Sequence, residues 1–197
     1  MLRAVGAGFV LVLAAGPALA DCLGEAKAAL DARLSALPLR ETLESDRDGE
    51  HQKIVLELET LQRFHTLIQG AASQVELLLL DGKGWSREHG RWLPFEAAAA
   101  TAQATAEDER ALAAQLTDGA AAACLGAVDA GGQQATGYEL KLDGDPSSGT
   151  PYSTLNLYVD PKTRLPTSLD MAGPGETGPT TTKQTFEYLK GFTLAAP

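Results

Sequence analysis

The sequence predicts an α+β fold in which helices pack against one large, curved antiparallel sheet. Apolar and polar residues alternate with period two between Pro38 and Leu93 and again after residue 130, which is typical of half-buried strands. Turn residues separate these segments closely, so no long βαβ crossover is needed. Only two stretches, at the start of the polar chain and in its middle, have the composition of helices.

The chain begins with the pattern of a secretory signal. Arg3 precedes an apolar run over Ala4–Ala15, and small residues follow at Pro17–Ala20. This run is shorter than the roughly 20 apolar residues that span a bilayer. We therefore expect residues 1–20 to be cleaved on export. Residues 21–197 would then form a single soluble periplasmic domain without an integral membrane segment.

The chain has two cysteines, Cys22 and Cys124, which we predict to form one disulfide. In an oxidising compartment, a pair of cysteines in an exported domain is most simply a structural bridge. Two free or intermolecular thiols are the alternative. Cys22 would also allow a lipid anchor, although the charged Asp21 before it disfavours that processing. Without a Cys-x-x-Cys pair, a redox role is not indicated.

Helical spacing of leucines from Leu23 to Leu37 predicts the first helix, which Pro38 ends. Its charged residues, including Asp31 and Arg33, are assigned to the solvent side.

The alanine-rich segment Phe95–Asp118 predicts the second helix. Thr105 and Asp108 have the spacing of an N-cap pair, so the acidic residues 107–109 are expected to form a solvated first turn. Leu112 and Leu116 form only a narrow apolar stripe, which fits a loosely packed helix or a movable lid.

The other periodic segments are predicted strands, bounded by turns such as Asp81–Gly84 and His89–Gly90. They are Pro38–Ser45, His51–Thr60, Phe64–Ile68, Val75–Leu80, Trp85–Glu88, Arg91–Leu93, Tyr138–Leu142, Thr154–Val159, Leu165–Met171 and Thr180–Leu189.

Charge and motif content exclude several classes of function. The net charge is −10 and no basic stripe occurs, so nucleic acids and anionic membrane surfaces are poor partners. No nucleophile elbow, phosphate-binding loop or zinc signature is present, and the histidines form no ligand-spaced pair. We therefore predict no enzyme, metal site or cofactor. An enzyme would require a polar cleft with convergent carboxylates.

Large apolar and aromatic residues occur on successive predicted strands, and two interpretations apply. They fill a core between sheet and helices, or they line a dry cavity. The second follows if a curved sheet faces helices rich in alanine, whose side chains are too short to fill the space between them.

Three segments carry a family resemblance. Asp81–Trp85 and Gly90–Trp92 form a hairpin, Leu157–Pro166 forms a strand–turn–strand unit, and Phe186–Tyr188 precedes a short tail. In this order they resemble the outer-membrane lipoprotein carrier (LolA/LolB-like) superfamily over nearly all of the chain after residue 20. The resemblance implies an eleven-stranded half β-barrel whose concave face is covered by helices around an apolar cavity. It brings no cofactor or reaction.

One departure concerns Arg63. The carriers place an arginine before a proline in the strand region that governs ligand release, whereas in this chain Phe64 follows Arg63. The role of Arg63 is therefore open, and a divergent member with another apolar ligand is expected.

Our leading hypothesis is a periplasmic, non-enzymatic binding or carrier protein for a lipid or a lipoprotein acyl chain. The alternative is a structural module of the cell envelope that binds another protein through its sheet surface. Strand phase predicts the pocket lining as Leu56, Phe64, Leu77, Trp85, Trp92, Leu140 and Tyr158.

Overall fold

Eleven strands form one antiparallel sheet in the computed structural model. The structure describes residues 21–47, 49–71, 73–142, 153–174 and 179–197, so the predicted signal segment lies outside the described residues. Within these ranges, two α-helices and one short 3-10 helix accompany the sheet.

The elements in chain order are α1 (Cys22–Ala32), a 3-10 helix (Arg33–Ala36), β1 (Leu39–Arg47), β2 (Glu50–Thr60), β3 (Arg63–Gln69), β4 (Gln74–Leu80), β5 (Lys83–Glu88), β6 (Arg91–Pro94), α2 (Ala98–Thr117), β7 (Ala121–Ala130), β8 (Gln133–Lys141), β9 (Thr154–Val159), β10 (Pro166–Pro174) and β11 (Pro179–Tyr188).

The strand order, β6-β5-β4-β3-β2-β1-β11-β10-β9-β8-β7, places the first and last strands together in the centre. The chain passes from one edge strand, β6, to the other, β7, through α2. A flat sheet of this size would be about 48 Å wide at about 4.8 Å per strand. The 20 residues of α2 span only about 30 Å. The sheet is an open half-barrel, and its curvature lets α2 connect the two edges.

Two-residue turns set the register of the β4–β5 and β5–β6 hairpins. Leu80 pairs with Lys83, and the intervening Asp81 and Gly82 have φ values of 52° and 83°. Positive φ at both central positions is the type I′ geometry that matches strand twist, and glycine adopts it without strain. The predicted hairpin turns are therefore confirmed.

Both helices pack on the same face of the sheet, which we call the concave face. One buried cluster joins α1 and the end of α2 to strands β8–β11, with Leu30, Leu116, Leu155 and Leu169 among its members. A second cluster joins the start of α2 to Leu58, Phe64 and Leu79.

Gly84 in β5 lets α2 approach the sheet closely. A Cβ atom added at Gly84 would lie 2.5 Å from the Cβ of Ala98. We expect Gly84→Ala to lower the free energy of unfolding by about 1–3 kcal/mol, because an overpacked contact forces the helix away. Gly70→Ala is the control, since its added Cβ would meet nothing closer than 3.8 Å. Urea unfolding compares the two variants, and equal stability would contradict the prediction.

Three details of the sequence prediction are wrong. The second helix begins at Ala98, so Thr105 and Asp108 lie inside it rather than at its N-cap. Strand β7 was not predicted, because its alanines and glycine give no alternating pattern. Arg33 is buried rather than solvated, because the chain tightens into a 3-10 turn there and directs the guanidinium inward.

The predicted Cys22–Cys124 disulfide is confirmed, with the two Cα atoms 5.3 Å apart. It ties the first residue of α1 to edge strand β7. No helix within the described ranges is long and apolar enough to cross a membrane.

Candidate functional site

Residues that pair directly across strands point to the same face, so the register defines which side chains share the concave face. Glu41 of β1 lies opposite Leu56, and Leu43 lies opposite Ile54. Because α2 packs on the row containing Leu58, Phe64 and Leu79, residues two positions further along each strand also face the helix side.

A partly open apolar surface lies on the concave face beside α2. Its residues share large aliphatic side chains, incomplete burial and positions on β1–β4 and β6. We call them the apolar patch: Leu43, Ile54, Leu56, Ile68, Val75, Leu77 and Leu93. Val75 and Leu93 are the most exposed, at 44% and 38% of their surface. Contiguous exposed apolar surface of this kind marks a binding site more often than a random surface does.

The alanines of α2 do not create the open space. Ala98, Ala102 and Ala106 are fully buried, because the helix lies close to the sheet over Gly84. Leu116 is also buried in the cluster near β8–β11. The open apolar surface lies beside the helix rather than beneath it.

The inner boundary of the patch is a polar stripe on β11, which consists of Thr180, Thr182 and Gln184. The register places these residues on the concave face, since Thr182 pairs with Ser45 and Gln184 with Leu43. All three are buried.

A charged cluster is buried between the helices and the centre of the sheet. Arg33 donates from Nε to Glu41 (3.2 Å) and from one terminal nitrogen to the Glu109 carboxylate and the Glu109 carbonyl oxygen (3.0 Å). Gln184 donates to the other oxygen of Glu41 at 2.7 Å. Arg33 and Glu41 are only 1% and 2% exposed. This cluster joins the 3-10 helix, α2, β1 and β11. No local pattern in the sequence indicates it, because its members are far apart along the chain.

Burial raises the pKa of Glu41 to about 7; the Glu109 carboxylate contributes to the increase, while Arg33 and Gln184 oppose it. Burial also raises the pKa of Glu109, again against the attraction of Arg33. The Tyr188 pKa is raised by burial and by the nearby Glu41 charge.

The raised Glu41 pKa predicts a pH-dependent stability. Between about pH 4.5 and 7, unfolded Glu41 loses its proton while folded Glu41 keeps it, so the free energy of unfolding falls as pH rises. Glu41→Gln removes this dependence. Relative to wild type, we expect the variant to gain up to about 3 kcal/mol across that range. Urea unfolding at several pH values measures the difference, and a constant difference would refute the prediction.

The seven predicted lining residues do not share one face. Leu56, Phe64, Leu77 and Leu140 lie on the concave face, although Phe64 and Leu140 are fully buried in the two core clusters. Trp85, Trp92 and Tyr158 lie on the opposite, convex face, because Gly84 and Leu157 take the inward positions. Seven residues on two faces cannot line one pocket, and only Leu56 and Leu77 belong to the apolar patch.

The convex face carries a chain of charged and aromatic residues that sequence reasoning missed. His65 Nδ1 lies 3.0 Å from Glu57 and its Nε2 lies 3.2 Å from Glu76, and both nitrogens can donate together only in the imidazolium form. In spatial order the chain is Glu187, Arg40, Glu57, His65, Glu76, Arg87 and Trp92.

Depressions among the described residues include one on this surface and one at the ends of the central strands. One of about 420 Å³ is lined by Gln74, Glu76, Arg87, His89 and Gly90. The other, of about 320 Å³, lies near His51 and Lys183 at the ends of the central strands. In the part of the chain that the structure describes, no group of three or more His, Cys, Asp and Glu side chains could hold a metal ion.

Arg63 fixes the C-terminal tail. It donates to Asp81 at 2.6 Å and to the carbonyl oxygen of Leu194 at 2.7 Å. The Leu194 amide in turn donates to Glu59 at 2.8 Å. In this structure Arg63 therefore lies outside the apolar patch and holds the tail against the start of β3.

No protein-family model matches the sequence, and no curated protein is significantly similar to it. Among solved structures, the lipoprotein LppX of Mycobacterium tuberculosis has a TM-score of 0.55 at 10% identity, covering 84% of this chain and 93% of its own. LprF from Mycobacterium bovis also has a TM-score of 0.55 at 10% identity, covering 88% of this chain and 97% of its own.

A LolA superfamily protein from Nitrosomonas europaea matches 87% of this chain and 93% of its own at 10% identity, but its TM-score of 0.28 is too low to support an argument. At such identities, similarity establishes the fold alone. The hairpin motifs in the sequence predicted an eleven-stranded half-barrel with helices on one face. The strand count, the position of the helices and the similarity to LppX and LprF agree with that prediction. The chain therefore has the open half-barrel fold that LppX and LprF also have.

Proposed function

We propose that the protein is an exported, non-enzymatic binding or carrier protein whose apolar patch holds the acyl chain of a lipid or an acylated protein. The observation that carries this proposal is the position of the patch. Large aliphatic side chains of β1–β4 remain partly exposed on the face where α2 buries the row of Leu58, Phe64 and Leu79.

The chemistry of the patch favours a hydrocarbon ligand. The Leu43–Ile54–Ile68–Val75 row crosses four strands without a charged or polar side chain. At about 25 cal/mol per Å², covering such side chains supplies a substantial driving force for binding. The two carboxylates that contact Arg33 lie between α2 and the sheet and are at most 12% exposed, so they do not form the polar cleft that catalysis would need.

A matched pair of variants tests the proposal. Ile54 and Val55 are adjacent on β2 and similarly half-buried, but they point to opposite faces. Delipidated protein is titrated with a fluorescent fatty acid. Ile54→Glu is expected to weaken binding at least about tenfold, because a charge in the patch must be desolvated, while Val55→Glu leaves affinity within about twofold.

Two outcomes would overturn the proposal: no binding by the wild-type protein at micromolar concentrations, or equal effects of the two substitutions. Calorimetry adds an independent readout, since burial of apolar surface gives a negative heat-capacity change of binding.

The alternative, an interaction module, is favoured by one observation at the sheet edges. Edge strand β6 has four residues, includes Arg91 and ends at Pro94, as protected edges do. Edge strand β7 has ten residues, and Asp129 is its only charged residue. If β7 binds an extended segment of an envelope protein, Leu125→Lys should abolish copurification of one stable partner. Copurification unchanged by this substitution would contradict the alternative.

A further inference from the structure

We propose that a polar depression on the convex face binds a neutral saccharide. The depression has a volume of about 420 Å³, and its lining consists of Gln74, Glu76, Arg87, His89 and Gly90. Small-molecule sites in proteins commonly have volumes of about 300–1,000 Å³, so the depression is large enough for such a ligand. It lies on the opposite face of the sheet from the apolar patch. This site is therefore separate from the one proposed above for an acyl chain.

Arg87 is held in the depression from two sides. Its Nη1 donates to both carboxylate oxygens of Glu76, at 3.1 and 3.4 Å. The guanidinium carbon also lies 5.8 Å from the centre of the Trp92 ring, within the usual distance of a cation–π contact. Because the contacts with Glu76 use only Nη1, the N–H groups of Nε and Nη2 remain for a ligand.

Gln74 and His89 add polar groups that the protein leaves unused. Within the described ranges, neither side chain has a hydrogen-bond or ion-pair partner. A primary amide has two N–H donors and a carbonyl acceptor, and a neutral imidazole has one donor and one acceptor. His89 and Gly90 form a tight turn with φ values of 50° and 79°, which keeps the imidazole at the end of the strand that carries Arg87.

Charge balance in the depression indicates a neutral ligand. Arg87 and Glu76 neutralise each other, and His89 counts as neutral in the formal charge of −10. An anion would have to approach the Glu76 carboxylate on a chain that already has an excess of negative charge. A cation would compete with Arg87 and His65, which both contact Glu76.

The hydroxyl groups of a saccharide match the mixture of donors and acceptors. A carboxylate has about four acceptor positions, and the contacts from His65 and Arg87 leave part of this capacity at Glu76 unused. Each hydroxyl group both donates and accepts, so neighbouring hydroxyls can bind a guanidinium N–H and a carboxylate or amide oxygen together. A hydrocarbon would desolvate the same polar groups without replacing their hydrogen bonds to water.

A titration of isotope-labelled protein followed by two-dimensional NMR tests the proposal. The probes are four neutral disaccharides: maltose, cellobiose, lactose and diacetylchitobiose. At least one should shift the Gln74 side-chain amide, the Gly90 amide and the Trp92 indole N–H, with a Kd of about 10 mM or tighter. Raising NaCl from about 0.05 M to about 0.5 M should change this Kd by less than about twofold, because salt does not screen a neutral ligand.

Two variants and a matched control locate the binding. Gln74→Ala and His89→Gly should each weaken binding about twofold to tenfold, the usual effect of losing a neutral hydrogen bond. Glycine keeps the positive φ of the turn, and both residues are exposed, so the variants should unfold at the wild-type midpoint. The control is Gln69→Ala, since Gln69 is exposed and pairs with Gln74 but does not line the depression.

Three outcomes would overturn the proposal. The first is that none of the four disaccharides shifts the three reporter signals. The second is that Gln74→Ala and His89→Gly bind as tightly as wild type and Gln69→Ala. The third is that inorganic sulfate binds more tightly than every disaccharide and is released by salt, which would identify an anion site. Fatty-acid binding on the opposite face is measured separately, and none of these outcomes bears on it.

Discussion

Replacing Arg33 by leucine is expected to lower the free energy of unfolding by about 3–5 kcal/mol, the usual cost of removing one partner from a buried ion pair. Glu41 and Glu109 would remain buried without a cation, and the hydrogen bonds that join the helices to β1 would be lost. Denaturant unfolding followed by circular dichroism measures the effect.

Arg110→Leu is the matched control, because Arg110 is exposed on α2 next to Glu109 and should change stability by less than about 0.5 kcal/mol. A second variant tests the cause. In the Arg33→Leu background, Glu41→Gln removes one uncompensated charge and should restore part of the loss. Similar stabilities for Arg33→Leu and Arg110→Leu would show that the buried cluster does not stabilise the fold.

Replacing both cysteines by serine is expected to lower the free energy of unfolding by about 2–5 kcal/mol. The disulfide closes a loop with a sequence separation of 102, which includes the whole β1–β6 meander and α2. The chain-entropy model assigns about 4.7 kcal/mol to a loop of about 100 residues, because the bridge restricts the unfolded chain.

The matched test compares oxidised wild-type protein, reduced wild-type protein and the Cys22→Ser/Cys124→Ser variant in urea. The two forms without the bridge should unfold at similar urea concentrations, well below the oxidised protein. A loss of less than about 1 kcal/mol in both would contradict the prediction and would mean that residual structure in the unfolded chain already restricts the loop without the bridge.

Most strands of the sheet were predicted correctly, because strands and tight turns leave patterns among residues that are close in sequence. Alternation over His51–Thr60 and the turn at Asp81–Gly82 depend only on strand phase and backbone geometry, and both agree with the structure. The pairing of Cys22 with Cys124 followed from their number and compartment. Strand β7 was not predicted, because most of this alanine-rich edge strand is exposed and it has no buried face that would give an alternating pattern.

The candidate site was harder to predict, because it depends on which face the helices cover. The sequence assigned Trp85 to the interior as a large aromatic residue. In the structure the inward position belongs to Gly84, since α2 leaves no room for a side chain there. Arg33 was assigned to solvent because it is charged. Its partners Glu41 and Glu109 are distant in sequence, so no local pattern indicates that it is buried.

The central position of the last strand has a consequence for biogenesis. Leu39 at the start of β1 meets Tyr188 at the end of β11, so these neighbours become available at nearly opposite ends of synthesis. Until residues 179–188 are synthesised, β1 and β10 each lack the neighbouring strand that pairs with their backbone groups. The cluster around Arg33 also lacks Gln184. Such distant pairing slows folding, because a large loop must close before its contacts form. The polypeptide thus stays incompletely folded until nearly its full length is available.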